Sequence, residues 1–144
     1  MSLYLVDTSV WIFALRRTPV PAIVEILGEL LRQDMVAICP LIELELLGGA
    51  ANPAEFSRLQ NRLLGLHRLE IGHDDWESAA RLAFDLRRRG VTVPLTDVLL
   101  AALALRVDAT LLNVDHDFEN IAKHCPLRAE GLANLLATAD RGPS

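Results

Sequence analysis

Apolar and polar positions along this chain change period several times, and each change marks an element. "LYLV" at 3–6 is a short β-prone apolar run that stops at "DTS". "VWIFALRR" then follows a helical pattern. "PVPAIVEILGELLRQ" opens a second helix after two prolines, with Ile23, Ile26, Leu27, Leu30 and Leu31 repeating at three and four. "MVAIC" at 35–39 predicts a second buried strand, and Pro40 is positioned to start a third helix. A fourth amphipathic helix is expected from Pro53 to Leu66, then a short strand in "LEI" at 69–71. "HDDWESAARLAFDLRRRG" reads as a helix with acids in its first turn, arginines in its last and Gly90 as its stop. "TDVLLAALALRVD" predicts an apolar helix with Thr96 as N-cap. "ATLLNVD" gives a fourth strand, "HDFENIAKHC" a short helix, "PLRAEGL" a weak fifth strand, and the stretch from Ala137 a frayed tail.

Strands alternating with helices imply a parallel sheet covered on both faces. The expectation is one three-layer α/β/α domain over residues 1–136, with a mainly parallel sheet of four to five strands and a flexible tail at 137–144. A chain of 144 residues suits one such core and not two. Its apolar runs break within about ten residues, too short to span a bilayer, and Asp7 interrupts any signal-peptide pattern. A cytoplasmic protein is expected. Cys39 and Cys125 lie at no zinc spacing and read as reduced thiols.

The net charge of −5 speaks against a nucleic-acid partner. Two features weaken that objection. Thirteen of the fourteen basic residues are arginine, the side chain suited to bidentate phosphate contacts, and a bound cation would reverse the local sign wherever carboxylates converge.

They are placed to converge. Ligands of an open parallel sheet collect at the carboxyl ends of its strands. Asp7 follows the first strand, Glu43 and Glu45 sit in the helix after the second, and Asp115 and Asp117 follow the fourth. Asp97 begins the helix leading into strand four, and strand order alone leaves its edge open. Such a cluster repels itself unless a hard cation such as Mg²⁺ or Mn²⁺ takes the oxygen ligands. Carboxylates around one or two such ions form a site for phosphodiester hydrolysis by a metal-activated water. Each acid also has a plainer role open to it: Asp7, Asp97, Asp115 and Asp117 as helix caps or turn residues, and the glutamates as a solvated helix edge. For Asp117 the cap is the preferred reading.

"LVDTSVWI", "ELLGG", "LTDVLLAALAL" and "NVDHDFENIA" resemble, in order and spacing, the motifs of the PIN domain, and most closely the VapC toxins of bacterial toxin–antitoxin pairs. The resemblance spans essentially the whole chain. It implies an Mg²⁺-dependent endoribonuclease, usually dimeric and held inactive by a VapB-type antitoxin, with RNA as substrate. It implies site acids at Asp7, Asp97, Asp115 and one glutamate, with Ser9 and Thr96 as supporting hydroxyls. The family's Glu-Leu-Leu-x-Gly pattern favours Glu45, and Glu43 is the alternative. Helical geometry supports a choice, because residues two apart diverge by about 200°. The chain departs from the family in having two glutamates here, and Asn113 where Thr is common.

Other features carry weaker signals. "RRR" at 87–89 and Arg16–Arg17 end helices, where cations favour the dipole, and contact with an RNA backbone is the sharper alternative. Trp11 and Phe13 read as core or partner surface. His116 reads as a neighbour of the acids rather than a participant. A receiver-type signalling domain would need a second acid at strand one and a lysine near the last strand. A haloacid-dehalogenase-type phosphatase would need an acid where Ser9 stands. A PIN-like domain that processes or binds RNA without being a toxin is the remaining alternative.

Overall fold

A computed structural model describes residues 2–140, with side chains to residue 136. Five strands form one sheet in the order β3-β2-β1-β4-β5: β1 Tyr4–Val6, β2 Val36–Ile38, β3 His67–Arg68, β4 Thr110–Asn113 and β5 Arg128–Gly131. Every pairing is parallel, with Leu5 between Ala37 and Leu111 at the centre. Both faces of the middle strands are therefore covered, which is why Leu5, Val6, Ala37, Ile38, Leu111 and Leu112 are fully buried and read as unbroken apolar runs.

Among the described residues seven helices connect the strands and an eighth follows β5: α1 Thr8–Leu15, α2 Pro21–Arg32, α3 Pro40–Gly48, α4 Pro53–Leu63, α5 His73–Arg88, α6 Leu95–Val107, α7 His116–Ala122 and α8 Ala133–Asp140. The first two crossovers step one way along the sheet and the last two step back, so right-handed connections put α1–α4 on one face and α5–α7 on the other. Packing agrees, since α1 touches α2 and α3, whereas α6 packs against α5 and α7. Strand order reverses beside β1, the position at which open parallel sheets ordinarily take their ligands.

Helix α6 is buried from Val98 to Ala104, held between the sheet and its helical neighbours. Helix α5 runs antiparallel to it. Arg106, at the end of α6, donates through Nε to Asp75 Oδ1 in the first turn of α5 at 2.5 Å, and through a terminal nitrogen to the Glu70 carbonyl. At its other end α5 stops where expected. Gly90 takes φ +78°, its N–H donates to the Arg87 carbonyl, and the Val91 N–H donates to that of Leu86. The short loop to Pro94 then returns the chain to begin α6 at the carboxyl edge of the sheet.

Several boundaries differ from expectation. The third strand pairs at His67–Arg68 rather than 69–71. Leu69 still donates to the Ile38 carbonyl, but the chain then leaves the sheet, and its alternating Leu69 and Ile71 mark side chains turned toward the core rather than paired backbone. Helix α4 ends at Leu63, not Leu66, and α1 begins at Thr8 because Asp7 caps it. Thr96 is not the cap of α6. Pro94, with φ −57° and ψ 140°, holds that position, and its carbonyl accepts from Asp97 and Val98. Helix α8 runs across the expected domain end at residue 136, and residues 141–144 lie outside the described residues. Cys39 and Cys125 are free thiols. Among the described residues no helix is long and apolar enough to cross a membrane.

Candidate metal centre

The sheet delivers Asp7 and Asp115 side by side because β1 and β4 are neighbours. The Asp7 N–H donates to the Leu112 carbonyl at 2.9 Å, locking the end of one strand to the other. Asp7 is the N-cap of α1. Its Oδ2 accepts from the Ser9 backbone at 3.2 Å and from Ser9 Oγ at 2.5 Å. Burial pushes its carboxyl above the ordinary carboxylate range, and the Ser9 hydrogen bonds only partly oppose this.

Asp115 repeats the arrangement at the start of α7, accepting through Oδ1 from the Asp117 N–H at 3.0 Å. Its own N–H donates to Asn113 Oδ1 at 3.1 Å. The Asn113 amide is fully buried and donates to the carbonyls of Leu111 and Glu130. Asn113 therefore tethers Asp115 to β4 and β5 at once. A threonine hydroxyl, with one hydrogen to donate, could not make both donations.

Asp97 lies in the first turn of α6. Carboxylate oxygens of Asp97, Asp115 and Asp117 all fall within 4.8 Å of one another. Burial, and then the charges of Asp7, Asp115, Asp117 and Glu45, push the Asp97 carboxyl up to about 7. Burial followed by the Asp115 charge raises Asp117, while a hydrogen bond with Asp97 opposes the rise. Asp117 thus belongs to the tightest part of the cluster, against its expected role as a mere cap. The antiparallel α5–α6 pair answers the question strand order left open, since it starts α6 beside the acids.

The two glutamates part company. Glu45 Oε1 accepts from Thr8 Oγ1 at 3.1 Å, beside Asp7, and its charge reaches Asp97. Glu43 points the other way and forms an ion pair with Arg68, whose guanidinium also donates to the Leu63 carbonyl. The structure thus brings Asp97, Asp115 and Asp117 together, with Asp7 beside them and Glu45 at the rim, and leaves Glu43 outside. Thr96 makes no side-chain hydrogen bond among the described residues, unlike Ser9. His116 is exposed, 3.6 Å from Glu119. Trp11 is buried and donates to the Val6 carbonyl, which accounts for it as core. In the "RRR" run, Arg88 lies over the Phe84 ring and Arg89 donates to His124.

Thr8 went unnoticed in the sequence, although "DTS" placed its hydroxyl next to Asp7. What the sequence lacked was any sign that α3 passes close enough to receive it. The donor set is entirely carboxylate oxygen, and several members are held above their ordinary range by mutual charge and burial. No lysine or arginine among the described residues pairs with them. That combination fits a hard divalent cation.

The PIN domain profile matches residues 4–124 and so takes in every acid of the cluster. VapC ribonuclease Mb1587 of Mycobacterium bovis and ribonuclease VapC11 of Mycobacterium tuberculosis are each 36% identical to the chain over 129 residues, covering 87% of it and 96% of the relative. Among solved structures, VapBC2 of Rickettsia felis bound to a DNA fragment from its promoter superposes with a TM-score of 0.75. At 22% identity it covers 90% of this chain and 98% of that one, and it supports the fold. With the profile, the close relatives and the acid cluster in agreement, the chain belongs to the PIN-domain family, in its VapC ribonuclease group.

Proposed function

We propose that this chain is the toxin of a VapBC-type toxin–antitoxin pair, a cytoplasmic endoribonuclease that hydrolyses RNA phosphodiester bonds with Mg²⁺, for which Mn²⁺ can substitute. The carrying observation is the convergence of Asp97, Asp115 and Asp117, with Asp7 alongside, at the carboxyl edge of a parallel sheet. We assign Asp7, Asp97 and Asp115 as metal ligands and, from its position in the cluster, add Asp117. Glu45 completes the set, and Glu43 is assigned a structural role through Arg68.

When bound, the divalent ion supplies charge neutralisation at the scissile phosphate and Lewis-acid assistance to the attacking water and the leaving oxygen. The protein supplies the rest. Ser9 fixes one oxygen of Asp7, Asn113 fixes the backbone of Asp115, and Thr8 holds the Glu45 carboxylate at the rim, where we assign it the proton of the attacking water. No protein nucleophile is required. The cognate partner is a VapB-type antitoxin that keeps the centre inactive, and the toxin acts as a homodimer.

The test is cleavage of RNA by purified protein in Mg²⁺, with and without EDTA, alongside Asp7→Asn and Asp97→Asn. Cleavage should require the ion and vanish in both variants. Equal cleavage by wild type and variants would trace the activity to a contaminant and overturn the assignment. Expression alone should arrest growth, and co-expression of a short neighbouring gene should restore it.

A further inference from the structure

A groove of about 610 Å³ runs between α1, α3 and α4, and Glu45 forms part of its wall. The groove therefore begins at the rim of the acid cluster and leads away from it. Its floor is apolar, built from Trp11, Leu46 and Leu59 with the exposed Ile12 and Leu15. Three arginines stand on its walls: Arg16 at the end of α1, and Arg58 and Arg62 on α4.

These arginines differ from the four that the fold uses in ion pairs. Arg32, Arg68, Arg106 and Arg128 are each paired with a carboxylate. Arg58 and Arg62 make no ion pair or hydrogen bond among the described residues. They are four apart on one helix, so two like charges share a face, an arrangement that slightly disfavours the helix. Glu55 also lines the groove, and one of its carboxylate oxygens accepts from the Ala51 N–H at the start of α4, so with Glu45 the lining holds two carboxylates against three guanidinium groups. Arg16 is held for use. Its Nε donates to the Thr18 carbonyl at 2.7 Å and its guanidinium lies 4.7 Å from the centre of the Phe13 ring, while its terminal nitrogens keep no hydrogen-bond partner among the described residues.

A protein of net charge −5 whose centre is acidic cannot hold a polyanion by its overall field, so its cations must be gathered beside the acids. From this juxtaposition we infer that the α1–α3–α4 groove is the track for single-stranded RNA flanking the cleaved bond, with Arg16, Arg58 and Arg62 binding its phosphates and the apolar floor receiving ribose and base faces. The guanidinium fork suits phosphate oxygens, and apolar packing against splayed bases suits a single strand better than a duplex. The inference rests on the ribonuclease reading but is tested apart from it.

The experiment measures fluorescence anisotropy of a short labelled single-stranded RNA in EDTA, where the ion-dependent cleavage is silent, across about 50–200 mM salt. Wild type is compared with Arg58→Gln/Arg62→Gln and with Arg81→Gln, an exposed arginine on α5 outside the groove; thermal melts check that all three fold. The double variant should bind roughly tenfold more weakly, with the slope of log K against log salt reduced by about 1.4, or 0.7 for each phosphate that an arginine no longer neutralises. Arg81→Gln should match wild type. Absence of RNA binding by wild type, unchanged affinity and slope in the double variant, or an equal loss in Arg81→Gln overturns the track. So does a double variant that binds RNA normally but loses its antitoxin, since the groove would then be a protein-docking surface. Groove-dependent binding without cleavage in Mg²⁺ would leave the track standing and remove the ribonuclease reading instead.

Discussion

Replacing Asp97 by asparagine should stabilise the metal-free protein while removing its activity, and the gain should depend on pH. In the folded chain the Asp97 carboxyl is pushed from 3.8 up to about 7 by burial and by four surrounding carboxylates. Because the folded-state pKa is raised, the folded chain holds more protons than the unfolded chain between those values, so stability falls as pH rises through that window. At 1.36 kcal/mol per unit, a shift of about three units corresponds to a ceiling of about 4 kcal/mol above pH 7. The acids titrate as a set and share the repulsion, so relief at one position should recover about half, or about 2 kcal/mol. For a chain of this length that is a rise of roughly 8 °C in melting temperature. Asparagine keeps the shape and can still hydrogen-bond Asp117. Melts followed by circular dichroism in EDTA at several values from pH 4 to 8 should show the two proteins nearly equal at pH 4 and the variant ahead at pH 8. Mg²⁺ should then raise the wild-type melting temperature and leave the variant's unchanged, because only wild type retains the full ligand set. An offset independent of pH, or a variant that melts lower at pH 8, would refute the idea that Asp97 is held against its own charge.

Two further predictions concern the rim. Thr8→Val should lower kcat by about tenfold with little change in KM, and Thr8→Ser should restore most of it, because the effect runs through one hydrogen bond to Glu45 worth about 1–1.5 kcal/mol. Steady-state cleavage of a defined RNA separates the two constants, and equal losses in both variants would argue against a positioning role. Glu45→Gln should abolish cleavage. Glu43→Gln should retain most of it and lower stability by about 1 kcal/mol through the partly exposed pair with Arg68, as read by urea melts. Reversed outcomes would exchange the roles of the two glutamates.

The fold was legible because β1, β2 and β4 are short apolar runs buried on both faces, and because prolines and Gly90 punctuate the helices between them. Strand three was displaced for a physical reason: apolar alternation reports which side chains face the core, and His67 and Arg68 pair through backbone that carries no such signal. The edge occupied by Asp97 could not be read from strand order, since it depends on α5 and α6 running antiparallel through a single connection, and the Arg106–Asp75 ion pair that ties them joins residues 31 apart. Thr96 looked like a cap because Thr-Asp ordinarily opens a helix. Here Pro94 has already set the entry dihedrals, and the threonine falls inside the first turn. Of the groove's arginines only Arg16 stood out in the sequence, at the end of its helix, since Arg58 and Arg62 look like any solvated helix face until α1 and α3 are seen beside them.

The two acidic pairs of the chain, Glu43/Glu45 and Asp115/Asp117, share a spacing of two and reach opposite outcomes. Inside a helix that spacing turns side chains about 200° apart, and both glutamates lie inside α3. One carboxylate therefore reaches Thr8 and the acid cluster while the other is turned to Arg68. Asp115 is not inside a helix. As the N-cap of α7 it has φ −119° and ψ 134°, so its side chain folds back over the first turn and accepts the N–H of the residue two ahead. The helical rule then fails, and Asp117 comes into the same few ångströms as Asp115 and Asp97. Asp7 is a cap of the same kind, and the residue two beyond it is Ser9, whose hydroxyl donates to the Asp7 carboxylate. An acid at a strand end that also caps the next helix thus gathers whatever lies two residues on: a hydroxyl at the first strand, a further carboxylate at the fourth. The cap reading and the proposed metal-site reading of these aspartates are not rivals, because the cap geometry is what aims each carboxylate at the acid cluster.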